Sequence, residues 1–149
     1  MLAAAVVLSA LPINAAERRV ALIGDDAELL RALSLALSPW GVETVQVSAQ
    51  LPQSSQPEAV LEAGELAVQF ELDWVVWLSE SPLGSLLWVY ETRNRELTTR
   101  MLQERSPLGS AAAASVALTV KTALRAMTRV SGGWGAAHAP WFELYARKV

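Results

Sequence analysis

Apolar positions along this chain change their spacing several times, and each change marks an element. Arg18–Gly24 (RRVALIG) is a short run rich in aliphatic residues that ends on glycine, the pattern of a buried parallel strand. Leu29, Leu30, Leu33, Leu37 and Trp40 then recur at helical spacing, with Pro39 and Gly41 placed to close that helix. Asp25 stands three residues before Glu28, the spacing of a capping box with Asp25 as the cap. Val42–Val47 (VETVQV) alternates as a second strand, and Leu51–Pro57 is a polar, proline-bounded loop. Glu58–Leu72 predicts a second helix, with Val60, Leu61, Leu66, Val68 and Phe70 among its apolar positions and Gly64 as a weak point.

The second half of the chain reads differently. Asp73–Ser79 (DWVVWLS) is apolar on both faces, Trp74, Val76 and Leu78 on one and Val75 and Trp77 on the other. Such a strand belongs in the interior of a sheet covered on both sides. Leu86–Glu91 (LLWVYE) repeats the two-faced pattern, and Leu97–Gln103 (LTTRMLQ) completes a meander after the polar turn Thr92–Glu96. Asn94 is the residue in that turn best suited to a left-handed backbone. Ala111–Met127 is a long alanine-rich helix with an apolar stripe of Val116, Ala117, Val120, Leu124 and Met127, and with Lys121, Arg125 and Arg129 projecting elsewhere. The order βαβαβββα predicts a single three-layer α/β domain. Its first three strands should be parallel, its hairpins should add an antiparallel edge, and helices should cover both faces of one mixed sheet.

The pentapeptide SPLGS occurs twice, at Ser81–Ser85 and Ser106–Ser110. Its flanks share no pattern, so it is not a duplicated unit. The first copy reads as a strand-to-strand turn. The second reads as the start of the last helix, capped by Ser106 or Ser110.

The ends of the chain carry other information. Residues 1–16 (MLAAAVVLSALPINAA) hold an apolar run too short to span a bilayer, followed by proline and small residues. That is the pattern of a secretory signal peptide, although a basic n-region is missing. The expectation is a signal peptide at 1–16, an α/β domain at 17–129, and a linker with a terminal strand or docking tail at 130–149. In that tail Trp134, Trp141, Phe142 and Tyr145 are aromatics in a low-charge setting and are the candidate partner contacts. Periplasmic or otherwise exported localisation follows, with a cell-envelope protein as partner and membrane proximity through the tail rather than a transmembrane helix.

Composition narrows the chemistry. The 149 residues suffice for one domain with a core; they are 52% hydrophobic and 18% charged with a net charge of −3, which offers no footprint for nucleic acid. Cysteine is absent and His138 is the only histidine, so disulfides, thiol catalysis and multi-histidine metal centres are excluded. No glycine-rich phosphate loop occurs, and the carboxylates are scattered without a pair that stands out. No cofactor is expected, and the function is expected to be binding or assembly without catalysis. The tryptophans Trp74, Trp77 and Trp88 read as core.

One stretch, VALIGDDAELLRALSLALSPWGVETV, resembles the opening βαβ unit of response-regulator receiver domains. The resemblance implies that Asp25 and Asp26 match the acidic pair that holds magnesium beside a phosphoaccepting aspartate. At the end of the third strand, where that aspartate would stand, this chain has Leu78, Ser79 and Glu80. The alternative function is therefore a cytoplasmic, degenerate receiver-like domain without its phosphoacceptor.

Overall fold

Residues 18–51 and 56–131 are described by a computed structural model of the chain. Five strands form one mixed sheet: β1 (Arg18–Ile23), β2 (Val42–Val47), β3 (Trp74–Ser81), β4 (Gly84–Glu91) and β5 (Glu96–Leu102). Three helices accompany them: α1 (Ala27–Leu37), α2 (Gln56–Phe70) and α3 (Ser110–Ser131). A 3₁₀ turn at Ser38–Trp40 follows α1 and ends at Gly41, whose φ of 71° is the left-handed conformation that glycine adopts without cost. Across the sheet the order is β2-β1-β3-β4-β5. β1 is parallel to both β2 and β3, and β4 and β5 are antiparallel additions. The α/β class, the order along the chain and the antiparallel edge agree with the sequence pattern.

Alternation along the strands feeds two cores. Val20, Leu22, Trp74, Val76, Leu87 and Val89 face α1 and α3. There they meet Leu29, Leu33 and Leu37 of α1 and Val116, Val120, Leu124 and Met127 of α3. Each of those three leucines is fully buried, a gain of about 1.5–3 kcal/mol apiece over exposure. On the other face Ala21, Ile23, Val75, Trp77, Trp88 and Tyr90 lie beneath α2. The three tryptophans are core residues, 2–4% exposed. Trp77 and Trp88 are partners across β3 and β4, their rings stacked 5.4 Å apart at 9°.

α2 departs from the sequence expectation. It begins two residues earlier, at Gln56, and stops at Phe70 because Glu71 turns left-handed (φ 55°) and Leu72 N–H returns to the Ala67 carbonyl. Its buried stripe is Ala59, Ala63 and Ala67, whereas Leu61 and Val68 are 68% and 77% exposed. The reason is volume. Trp77, Trp88 and Tyr90 already fill the space above the sheet, so the helix approaches through its smallest side chains. Gly64 belongs to the same fit, since a Cβ there would stand 3.2 Å from the Tyr90 hydroxyl.

The two SPLGS copies do different work. In the first, Pro82 and Leu83 form a two-residue hairpin loop that brings Ser81 opposite Gly84. In the second, Gly109 offers its carbonyl to Ala113 N–H at the start of α3, and Ser106 is not the cap: its hydroxyl is spent on another element. The turn between β4 and β5 also differs, because the left-handed residue is Arg95 (φ 55°) and not Asn94. Asn94 instead gives its N–H to the Glu91 carboxylate at 2.9 Å, which leaves the last loop position to reverse the chain.

Candidate functional site

Open parallel sheets of this order place ligands beyond the carboxyl ends of the strands, at the β1/β3 switch point. Here β1 ends in Gly24, Asp25 and Asp26. Asp26, not Asp25, caps α1: its Oδ1 accepts from Leu29 N–H at 3.1 Å. Its Oδ2 accepts from the Ser106 hydroxyl at 3.0 Å and from Leu108 N–H at 3.1 Å. Asp26 is buried and Asp25 is exposed, so the acidic pair is split between an inside and an outside role.

The segment 103–109 thus crosses the carboxyl end of the sheet on its way from β5 to α3. Arg105 fastens it a second time, its guanidinium donating to the carbonyls of Ser81 at 3.1 Å and Pro82 at 2.9 Å in the first SPLGS. Leu108 is buried beneath this strap as part of the α1/α3 core. At the end of β3, the Ser79 hydroxyl accepts from Trp88 Nε1 at 2.8 Å and is itself buried. Of the residues that the receiver resemblance puts at a magnesium and phosphoryl site, Asp26 and Ser79 are committed to structure, whereas Asp25 and Glu80 are exposed. Asp26 has both carboxylate oxygens engaged by protein donors, and the set does not fit a metal ion. Among the described residues no three His, Cys, Asp or Glu side chains gather to hold one.

Three other places on the described surface bring functional groups together. A groove of about 430 Å³ runs between α1 and α3, floored by Ala32, Ala36, Ala114 and Ala117, and bordered by Leu35 and Leu118, which are 68% and 60% exposed. Glu28 and Arg31 stand on the α1 side of that groove. At the far end of α1, Trp40 is gripped by Lys121 and Arg125, whose charged groups lie 4.8 and 5.1 Å from its ring centroid. These are the cations that the helical spacing sent away from the core.

The second groove, about 580 Å³, separates α2 from the end of the β4–β5 hairpin. Leu61, Gly64 and Val68 form its helical wall, and Tyr90 and Arg95 its hairpin wall. Burial of Tyr90 holds its phenol above the ordinary value of 10.0, with Arg95 pulling the other way and Glu91 adding to the rise.

The third is a carboxylate pair at the amino end of β3. Glu91 and Glu96 face one another across β4 and β5, a juxtaposition invisible in a sequence whose acids look scattered. Burial, and then the Glu91 charge, raise Glu96 above its ordinary 4.5. A small cavity of about 40 Å³ beside Glu91 is shared by Arg18, Asp73, Trp74, Arg93 and Thr128. Trp134, Trp141, Phe142 and Tyr145, the contacts expected from sequence, lie outside the described residues, as does the signal-like segment 1–16.

The class defined by these features is a three-layer α/β domain whose switch point is crossed by its own chain and whose two larger described grooves lie on the helical faces. No protein-family model matches the chain, and no curated protein sequence matches it. A crystal structure of TolB from Acinetobacter baumannii is similar over 72% of this chain at 14% identity and a TM-score of 0.40. This chain spans only 28% of that one, and a likeness of this degree carries no argument about function.

Proposed function

We propose that this chain is an exported cell-envelope α/β domain that works by binding or assembly rather than by catalysis. One observation carries the reading. Asp26, the acid standing where an open sheet of this order would meet its ligand, is consumed by three hydrogen bonds that seal that end of the domain. What stays open instead is apolar: Leu35 and Leu118 beside the α1/α3 groove, and Leu61 and Val68 on α2. Export is supported by the signal-like run of residues 1–16. Among the described residues no helix is long and apolar enough to cross a membrane.

The test has two arms. Residues 1–16 fused to a reporter active only outside the cytoplasm should give activity, and the mature chain should be recovered without them. Crosslinking in cells should then capture an envelope protein, and Leu35→Asp with Leu118→Asp should reduce the yield at least fivefold without unfolding the domain. An intact N-terminus on a cytoplasmic protein would instead favour the receiver-like reading.

A further inference from the structure

The groove between α2 and the β4–β5 hairpin contains a polar group that the fold itself does not use. Tyr90 is 2% exposed, and its hydroxyl, which makes no hydrogen bond within the described residues, keeps access to solvent at the groove. Here the hydroxyl lies under Gly64, at the one position of α2 where the absent side chain leaves it room, and both residues line the groove. At the same groove Arg95 is exposed and close enough for its charge to act on the phenol.

The rest of the groove is apolar, with Leu61 and Val68 largely exposed along the helix. Its size, about 580 Å³, falls within the range of small-molecule clefts, roughly 300–1,000 Å³. A phenolic donor and a guanidinium on one wall, with aliphatic side chains on the other, suit a ligand that has a charged acceptor at one end and an apolar body. Glu65 on the helical wall works against a second negative charge.

We infer that this groove binds a small organic monocarboxylate, its carboxylate held between the Tyr90 hydroxyl and the Arg95 guanidinium and its apolar body laid along Leu61, Gly64 and Val68. The inference deepens the binding-module reading and rests on it. It concerns the face of the sheet opposite the α1/α3 groove.

The experiment is an amide NMR titration of the full chain with butyrate, 4-phenylbutyrate and decanoate, each compared with the corresponding alcohol. The expected result is saturable shifts centred on Gly64, Tyr90 and Arg95, with 4-phenylbutyrate or decanoate bound at least tenfold more tightly than its alcohol. Tyr90→Phe and Arg95→Gln should each weaken carboxylate binding by threefold to tenfold while leaving the alcohol unchanged. Gly64→Ala should weaken both by crowding the hydroxyl, and Leu35→Ala should change neither. No saturation by any of the three acids, or alcohols bound as well as acids, overturns the inference. Either of those results alongside a partner still captured through Leu35 and Leu118 would leave the protein-binding reading standing. Carboxylate binding without any captured partner would do the reverse.

Discussion

Gly84 and Gly109 occupy the same place in two identical pentapeptides, and the structure assigns them opposite tolerances. Gly84 has φ 149°, a region that L side chains rarely enter, and its Cβ direction points into the end of β5. An added methyl would overlap the Leu102 carbonyl oxygen and stand 3.1 Å from its carbon and 3.2 Å from Gln103 Cα, all backbone that cannot rotate away. Backbone strain of about 1–3 kcal/mol and overpacking of about 1–3 kcal/mol act together, so Gly84→Ala should cost roughly 3–4 kcal/mol. Gly109 has an ordinary φ, and nothing lies within 4 Å of the corresponding Cβ. For Gly109→Ala, the loss of a favourable N-cap residue opposes the reduced entropy of the unfolded chain, about 0.4–1 kcal/mol, leaving a net change within about 1 kcal/mol. Urea unfolding of both variants, followed by far-UV circular dichroism, measures the difference. At this size Gly84→Ala should also lower Tm by about 6–15 °C. Equal losses in the two variants, or a Gly84→Ala change below about 1 kcal/mol, would refute the claim that the copies differ in mechanical role.

The remaining predictions concern polar groups. Asp26→Ala removes a helix cap and leaves Leu108 N–H buried without its acceptor, so it should cost about 3 kcal/mol in the same assay, while Asp25→Ala at the exposed neighbour stays within about 0.5 kcal/mol. Ser79→Ala strands the buried Trp88 Nε1 and should cost about 1–3 kcal/mol, with a shift in tryptophan emission, whereas Ser79→Thr should recover part of the loss. Glu96 is raised by burial first and Glu91 second, so its contribution is most favourable below the unfolded value near 4.5 and is lost as pH rises through the folded value. Glu96→Gln should therefore stabilise the domain by about 0.5 kcal/mol at pH 7, with the gain shrinking towards pH 4; a gain that grows on acidification would contradict the cross-strand pairing.

Where a residue's role follows from its own neighbours in sequence, the pattern was informative. The two-faced DWVVWLS run became the central strand, and the stripe Val116 to Met127 became the buried side of α3, because period and hydrophobicity are local properties. The errors lie where a distant element decides. Local spacing favoured Asp25 as the cap, but Asp26 is the residue that also meets Ser106 and Leu108, eighty and more positions away. Likewise Leu61 and Val68, apolar positions of the expected helix, stay outside because three aromatics on the sheet claim the volume and leave the helix its alanines. The Glu91–Glu96 pair and the Tyr90–Gly64 contact were illegible for the same reason, since strand register and helix placement create them. Order across the sheet is also non-local, and the sequence pattern constrained only the direction of its strands.

The repeated pentapeptide shows how these levels meet. The first copy turns β3 into β4, and its Ser81 and Pro82 carbonyls then receive Arg105, one residue ahead of the second copy. The second copy supplies Ser106 and Leu108 to Asp26 before α3 begins. Neither copy acts as a site in itself. Together they hold one strap across the carboxyl edge of the sheet, each through different atoms of the same five residue types. A strap fixed through Arg105, Ser106 and Leu108 makes that edge a structural seam, and the larger grooves lie on the helical faces. There the Tyr90 hydroxyl lines a groove beside the exposed aliphatic side chains Leu61 and Val68. In an open α/β sheet the usual binding edge and the stabilising seam compete for the same backbone ends. This chain gives those ends to stability, through the hydrogen bonds of Asp26 and Arg105.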